Sequence, residues 1–294
     1  MKYVIPRPIN ITSINVIEND YPAWSSGVSY SVGEYVMRPL IHKIFKCAVA
    51  TSGTMNPESD TVHWVDYGST NAYRVVDEYV NTVTQNADSV IFSFTQADVC
   101  DTLALFNLNG GSITITMNDG NSEIFVKKIS LDNTSITDWY DYFFEEFIFR
   151  NDLFITLPAY RNITYTIEVH NIGGIAKIGL IVIGKSKALG VTLFNPTIGL
   201  LDYSKKETNE WGGTYLAKGK TAKKAECQVV IESQMVDEVN RRLADIAGEA
   251  TLFLADEREG GYESLLIYGF FRDFDIVIPS PALSECNLTL EGLI

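Results

Sequence analysis

The sequence predicts a mainly β protein of several domains, with one amphipathic helix in its last third. Three observations carry that expectation. Short runs of β-branched and aromatic residues, at 90–94, 112–116, 165–169 and 179–183, recur between Gly, Asn, Asp and Ser, which is the punctuation of strands and turns. A sustained helical period is confined to residues 234–247, where Met235, Val236, Val239, Leu243, Ile246 and Ala247 share one stripe. A chain of 294 residues that is 46% hydrophobic and 20% charged has globular composition and room for two or three domains.

The elements follow in order. Residues 1–20 read as an extended N-terminal arm, and residues 21–80 as a small module dense in aromatics. Residues 81–186 give strand after strand without a full-length helix, the pattern of a β-sandwich. Within it, Asp119-Gly120 between two alternating runs predicts a hairpin turn, and a short acidic, aromatic piece at 139–147 is expected to be helical. Gly184-Lys185-Ser186-Lys187 is the expected joint to an α+β domain over 187–294. Ser233 is placed to cap the helix there and Gly248 to end it, while Asp237, Glu238, Arg241, Arg242 and Asp245 form its polar face.

The formal net charge of −14 disfavours duplex nucleic acid as a partner, since a negative field repels phosphates. Pro6, Arg7 and Pro8 interrupt the opening stretch, so it lacks the apolar centre of a secretory signal, and the best apolar run, 175–184, is too short to span a bilayer. Synthesis in a cytoplasm and no membrane insertion are expected. Cys47, Cys100, Cys227 and Cys286 are far apart among apolar neighbours and read as small buried hydrophobes. With His42, His63 and His170 equally scattered, neither a metal site nor a cofactor is expected.

Two stretches carry resemblances. Trp24, the Tyr30-x-x-Gly33-Glu34-Tyr35-Val36 turn, Phe45-Lys46-Cys47, Gly53 to Pro57 and Trp64 resemble, in order, the carbohydrate-binding module of families 5 and 12, the chitin-binding type. The resemblance spans about fifty residues. It implies that Trp24, Tyr35 and Trp64 either stack on a sugar or form the module's own core. In that family tryptophans follow the Tyr-Lys-Ala strand, where this chain has Ala48-Val49-Ala50, so weak or absent chitin binding is expected. The next stretch, Gly68-Ser69-Thr70-Asn71 through Arg74 to Asp77, is similar to one in tailed-phage virion proteins that leads into a jelly-roll-like sandwich.

The C-terminal residues 201–213, 262–274 and 284–293 look like the terminal domain of tail and baseplate proteins of long-tailed phages. The resemblance implies a structural subunit of the virion tail, distal or baseplate, assembled in the host cytoplasm with other tail proteins as a trimeric or hexameric ring. Trp211, Tyr215, Lys218, Lys220, Lys223 and Lys224 are the expected interface, facing the acidic run Asp256 to Glu259 of a neighbouring copy. A carbohydrate-binding adhesin that recognises a host surface glycan is the alternative. A cell-wall-degrading enzyme is a third. No catalytic residues are assigned: nucleophile-elbow and zinc-protease motifs do not occur, Gly184-Lys185-Ser186 reads as strand-end composition, and no carboxylate pair stands out.

Overall fold

The computed structural model describes residues 1–120, 122–132, 149–208, 210–258 and 261–293. The chain is mainly β, as expected, with antiparallel pairing between neighbouring strands. The helical segment expected at 139–147 lies outside the described residues.

The first twenty residues supply strands to two different bodies. β1 (Lys2–Val4) enters the C-terminal sheet, and β2 (Ile11–Ile14) extends the sandwich. Between them the Arg7 amide donates to the Ile183 carbonyl (2.9 Å), and Gln96 Nε2 donates to the Pro8 carbonyl (2.7 Å). The small unit is a three-stranded meander of β3 (Tyr35–Arg38), β4 (Lys43–Cys47) and β5 (Trp64–Ser69).

The sandwich has seven strands of its own among the described residues: β6 (Thr84–Gln96), β7 (Cys100–Phe106), β8 (Ser112–Asn118), β9 (Glu123–Ser130), β10 (Leu153–Tyr160), β11 (Ile163–Ile178) and β12 (Leu180–Gly184). One sheet runs β2-β6-β11-β8-β9, the other β10-β7-β12. The expected hairpin forms at Asp119, whose Oδ1 accepts from the Ser122 amide (2.8 Å), with Gly120 at φ +92°. Alternation buries Val90, Phe92 and Phe94 on β6 against Ile113, Ile115 and Met117 on β8 and Leu103 and Leu105 on β7.

The three-stranded sheet is covered on both faces. Its outer residues Ala104, Phe106, Leu180 and Val182 pack with Val4, Leu252, Leu254, Leu266 and Tyr268 of the next domain. That explains the unbroken apolar run of β12, since a strand buried on both sides has no polar alternation to show. Sandwich and C-terminal domain therefore share a core.

The C-terminal domain comprises β13 (Ser186–Ala188), β14 (Val191–Thr192), β15 (Thr197–Asp202), β16 (Lys205–Thr208), β17 (Thr214–Ala217), β18 (Thr221–Glu232), the helix Val236–Asp245, β19 (Thr251–Leu254), β20 (Leu266–Val277) and β21 (Leu283–Gly292). Its sheet runs β13-β1-β19-β20-β21-β18-β14. The two ends of that series are consecutive pieces of one segment, bent at Gly190, so the sheet closes on itself as a barrel. A Cβ at Gly190 would stand 2.4 Å from the Val230 carbonyl oxygen, and its φ is +156°, so only glycine makes this corner.

Val239, Leu243 and Ile246 of the helical stripe join Tyr3, Phe253 and Ile267 in the barrel core, whereas Ala247 is exposed. Ser233 does not cap the helix as expected: its hydroxyl bonds the Ser280 carbonyl (3.1 Å) and the Ser284 hydroxyl (2.8 Å), and a short 3-10 turn precedes the helix proper. Gly248, at φ +80°, does end it. β15 lies outside the barrel on the first half of β18, and β16 and β17 pair only with each other, as an exposed hairpin arm.

Candidate functional site

Strand alternation decides what each aromatic of the small unit can do. One face of the meander carries Val36, Phe45, Cys47 and Trp64, closed over by Trp24 and Tyr30. Trp64 is 2% exposed and meets Tyr30 edge-on, centroids 5.1 Å apart. Trp24 is half-buried beneath the Arg38 guanidinium, which sits 4.9 Å from its ring centroid. Trp64 thus lies in the module's core and Trp24 packs partly buried against it. The segment Ala48-Val49-Ala50 is exposed and carries no ring.

Tyr35 belongs to the opposite face. The register Tyr35–Lys46–Val65 places these three side by side across β3, β4 and β5. At the far end of β5 a bulge inserts Tyr67 between Asp66, which pairs Phe45, and Gly68, which pairs Ile44. A bulge adds one unpaired residue, and Gly68 makes it feasible at φ +120°. Tyr67, two residues beyond Val65, lies on the Tyr35 face by strand alternation, ring centroids 4.9 Å apart at 73°, and stays 57% exposed. Tyr21 stacks on Tyr35 from the preceding loop, 5.0 Å and 19°. Lys46 Nζ lies 5.4 Å from the Tyr35 centroid. The result is an outward aromatic platform with Tyr67 foremost, Tyr35 behind it and one cation beside it. Such a ring face can take the C–H face of a pyranose, with phenol and ammonium groups at hand for hydroxyls.

Tyr21 and Tyr67 were missed by sequence reasoning. The available signal was alternation along β5, which sets Tyr67 on the face opposite Trp64, and it is weak until Trp64 is known to point inward.

The platform is held rigidly to the body. Glu18 accepts from the Thr70 hydroxyl (2.6 Å) and lies 3.0 Å from His42 Nδ1, and the His42 ring stacks on Tyr73 at 3.5 Å. Asp20 receives the Asn71 amide, and the Asn71 side chain exchanges two hydrogen bonds with the Gln85 backbone. The Thr70-Asn71 pair of the phage-like stretch is thus the latch between module and sandwich. Asp60, bonded to His63 Nδ1 at 2.8 Å, is held below the usual carboxylate range chiefly by that bond.

The expected interface residues separate into two groups. Trp211, 91% exposed, and Tyr215 stand on the hairpin arm, with Lys218 and Lys220 exposed at its base. Lys223 instead points into the junction between barrel and sandwich, where it pairs with Asp152 and donates to the Glu263 carbonyl (2.7 Å). Lys224 pairs with Glu226 on its own strand (2.6 Å). The acidic counterpart is engaged as well: Asp256 binds Arg258 (2.8 Å) and Glu257 binds the Met1 ammonium (2.9 Å) and Lys2 (3.0 Å). Lys223, Asp256 and Glu257 thus each have a partner of opposite charge within the chain.

Gly179 stands five residues before Gly184, so Gly179 to Ser186 does have the spacing of a phosphate-binding loop. The structure removes that function. The intervening residues are the buried strand β12, a strand and not a helix follows, and the Asp101 carboxylate takes the Ser186 amide (2.7 Å) and hydroxyl (3.1 Å) where a phosphate would sit.

No family model and no curated protein matches the chain. Among solved structures it has a low similarity to carbohydrate-binding and discoidin-like modules. One is the lectin domain of lectinolysin complexed with Lewis B antigen, at 13% identity and a TM-score of 0.30 over 41% of this chain and 86% of that one. Another is a Streptococcus pneumoniae fucose-binding module, at 14% and 0.29 over 41% and 90%. A third is an F5/8 type C domain from Bacteroides fragilis, at 10% and 0.28 over 55% and 97%.

Proposed function

We propose that this chain is a non-catalytic saccharide-binding protein of adhesin type, whose small unit meets the glycan. The observation that carries the reading is Tyr67, an exposed ring set edge-on against Tyr35, on which Tyr21 stacks, on the outward face of a unit latched to a large scaffold. Placing it as a binder rather than a catalyst is supported by the state of its thiols. Burial pushes the thiols of Cys100, Cys227 and Cys286 up to about 11. The test is retention of the full chain on an oligosaccharide array, with reducing-sugar release followed in parallel. Tyr67→Ala should lose retention without a change in melting temperature, and no sugar should be released. Retention unchanged in Tyr67→Ala, or turnover of any polymer, overturns the reading.

A second reading, compatible with the first, is a structural subunit of a tailed-phage tail, at its distal end or baseplate. It is supported by the resemblance of the C-terminal stretch and by the exposed arm. An isolated two-stranded ribbon is marginal in water, yet this one carries Trp211, Tyr215 and Leu216 outward. Four lysines and two glutamates give residues 203–220 a net charge of +2 on a chain of −14, so the arm suits the acidic body of a second copy. In that reading the copies form a closed ring, trimeric or hexameric, within a virion built in the host cytoplasm. Mass measurement of the full chain, alone and with other tail proteins, should give a multiple of three that falls apart in Trp211→Ser. A monomer under both conditions refutes it.

A further inference from the structure

We infer that the tyrosine platform selects an acidic saccharide, one bearing a carboxylate or phosphate substituent, over a neutral one. The inference rests on the saccharide-binding reading above and concerns the same face. Lys46 occupies the middle of the row Tyr35–Lys46–Val65, with its ammonium 5.4 Å from the Tyr35 ring centroid, and has no carboxylate partner among the described residues.

The carboxylates that could have neutralised it are turned elsewhere. Glu34 Oε2 accepts from the Ser31 amide (2.8 Å). Asp66 pairs with Lys43 and accepts from the Gly68 amide (2.9 Å). Asp66 also sits opposite Phe45, on the core side of the meander. The outward face therefore shows rings, the exposed Val65 and a single positive charge.

On a chain of net charge −14, Lys46 sets a positive charge, with no carboxylate partner among the described residues, at the centre of an aromatic patch. The long-range field opposes an anionic ligand, and salt screens that field beyond about 8–10 Å. A direct contact of an anion with Lys46 at the platform survives such screening better than the repulsion does. A pyranose stacked on Tyr67 would bring a ring substituent within reach of Lys46, whose flexible stem and three donors suit a carboxylate or phosphate as a point charge. The contribution of one exposed cation is small, so discrimination of roughly fivefold is expected.

The experiment titrates the full chain, by ligand-observed and protein-observed NMR, with tri-galacturonate, the N-acetylglucosamine trimer, N-acetylglucosamine 1-phosphate and inorganic phosphate. Tri-galacturonate or the sugar phosphate should bind roughly fivefold more tightly than the neutral trimer, and which of them does so identifies the acid. Lys46→Gln should erase that difference and leave neutral binding in place. Tyr67→Ala should remove binding of every saccharide. Equal affinity for neutral and acidic sugars overturns the inference while leaving the saccharide reading intact, as does inorganic phosphate binding as well as the acidic sugars. Saccharide binding indifferent to Tyr67→Ala, or none at all, defeats the reading on which the inference stands.

Discussion

Lys223→Met is expected to loosen the joint between barrel and sandwich by about 2–3 kcal/mol. The Lys223 ammonium pairs with Asp152 and donates to the carbonyls of Glu263 (2.7 Å) and Leu266 (3.3 Å). Asp152 keeps one further partner, the Asn107 amide (2.9 Å), and its side chain is only 10% exposed. Removing the lysine leaves a nearly buried carboxylate without its cation and takes one donor each from two carbonyls, of which that of Glu263 keeps the Leu266 amide. Breaking a fully buried pair costs about 3–5 kcal/mol. Lys223 is itself 32% exposed, so water relieves part of that loss and the lower figure follows. Lys224, one residue on, pairs with Glu226 at the surface, and Lys224→Met should cost under about 1 kcal/mol. Urea unfolding and thermal melts of the two variants make the comparison. Lys223→Met should melt roughly 5 °C lower than Lys224→Met. Adding Asp152→Asn to Lys223→Met should recover part of the loss, since the stranded charge is then gone. The reasoning fails if both lysine variants fall within about 0.5 kcal/mol of the parent. The same contrast governs any probe of assembly: charge reversal at Lys220 addresses the arm, whereas reversal at Lys223 would damage the scaffold.

Three further outcomes are expected. The Arg258 side chain bonded to Asp256 holds that carboxyl down at about 2, below its unfolded value of about 4. The stabilisation is therefore complete above pH of about 4 and lost as pH falls toward 2; because Arg258 is well exposed, it amounts to about 1 kcal/mol, and Asp256→Asn should show a correspondingly shallower acid-unfolding curve. Thiol titration of the native protein at pH 8 should label few of the four cysteines, all of which are buried, and denaturant should release the rest; fast native labelling would contradict the burial. Gly68→Ala, with open space around it but φ at +120°, should cost about 1 kcal/mol and weaken saccharide binding by displacing Tyr67; unchanged binding would mean that the bulge does not position the ring.

The class of fold was legible because its signals are local. The strand runs, the Asp119-Gly120 turn and the stripe Val239–Leu243–Ile246 each depend on neighbours within a few positions. What was not legible depends on distant partners. Ser233 has the right type and place for a cap, yet the Ser280 carbonyl and the Ser284 hydroxyl, reached only through the fold, take its hydroxyl. Lys223 and Lys224 look alike in sequence, and strand alternation sends one into the junction and leaves the other at the surface. In the small unit Tyr35 was found from its motif, but Tyr67 became visible only once the register set Val65 beside Lys46, and with it Tyr67 on the same face. Trp64 is turned inward by the pleat of β5, and Trp24, in the loop before β3, packs partly buried against that core.

The closed barrel has a consequence for how the chain reaches its native state. Lys2 pairs with Leu254 and with Ala188, so the strand that seals the barrel is separated from its partners by the small unit and the whole sandwich. Pairings of such long sequence separation are slow to form, because the closure entropy precedes the gain. The sandwich, whose pairings all span fewer residues than those of β1, can form first and then present β12 and β13 as a template. Until β1 arrives, β13 and β19 face each other across a gap with two unsatisfied edges, a species prone to pair with other chains. A recombinant C-terminal fragment starting at residue 187 would be locked in that condition, and fusing residues 1–6 to it through a flexible linker should restore its solubility.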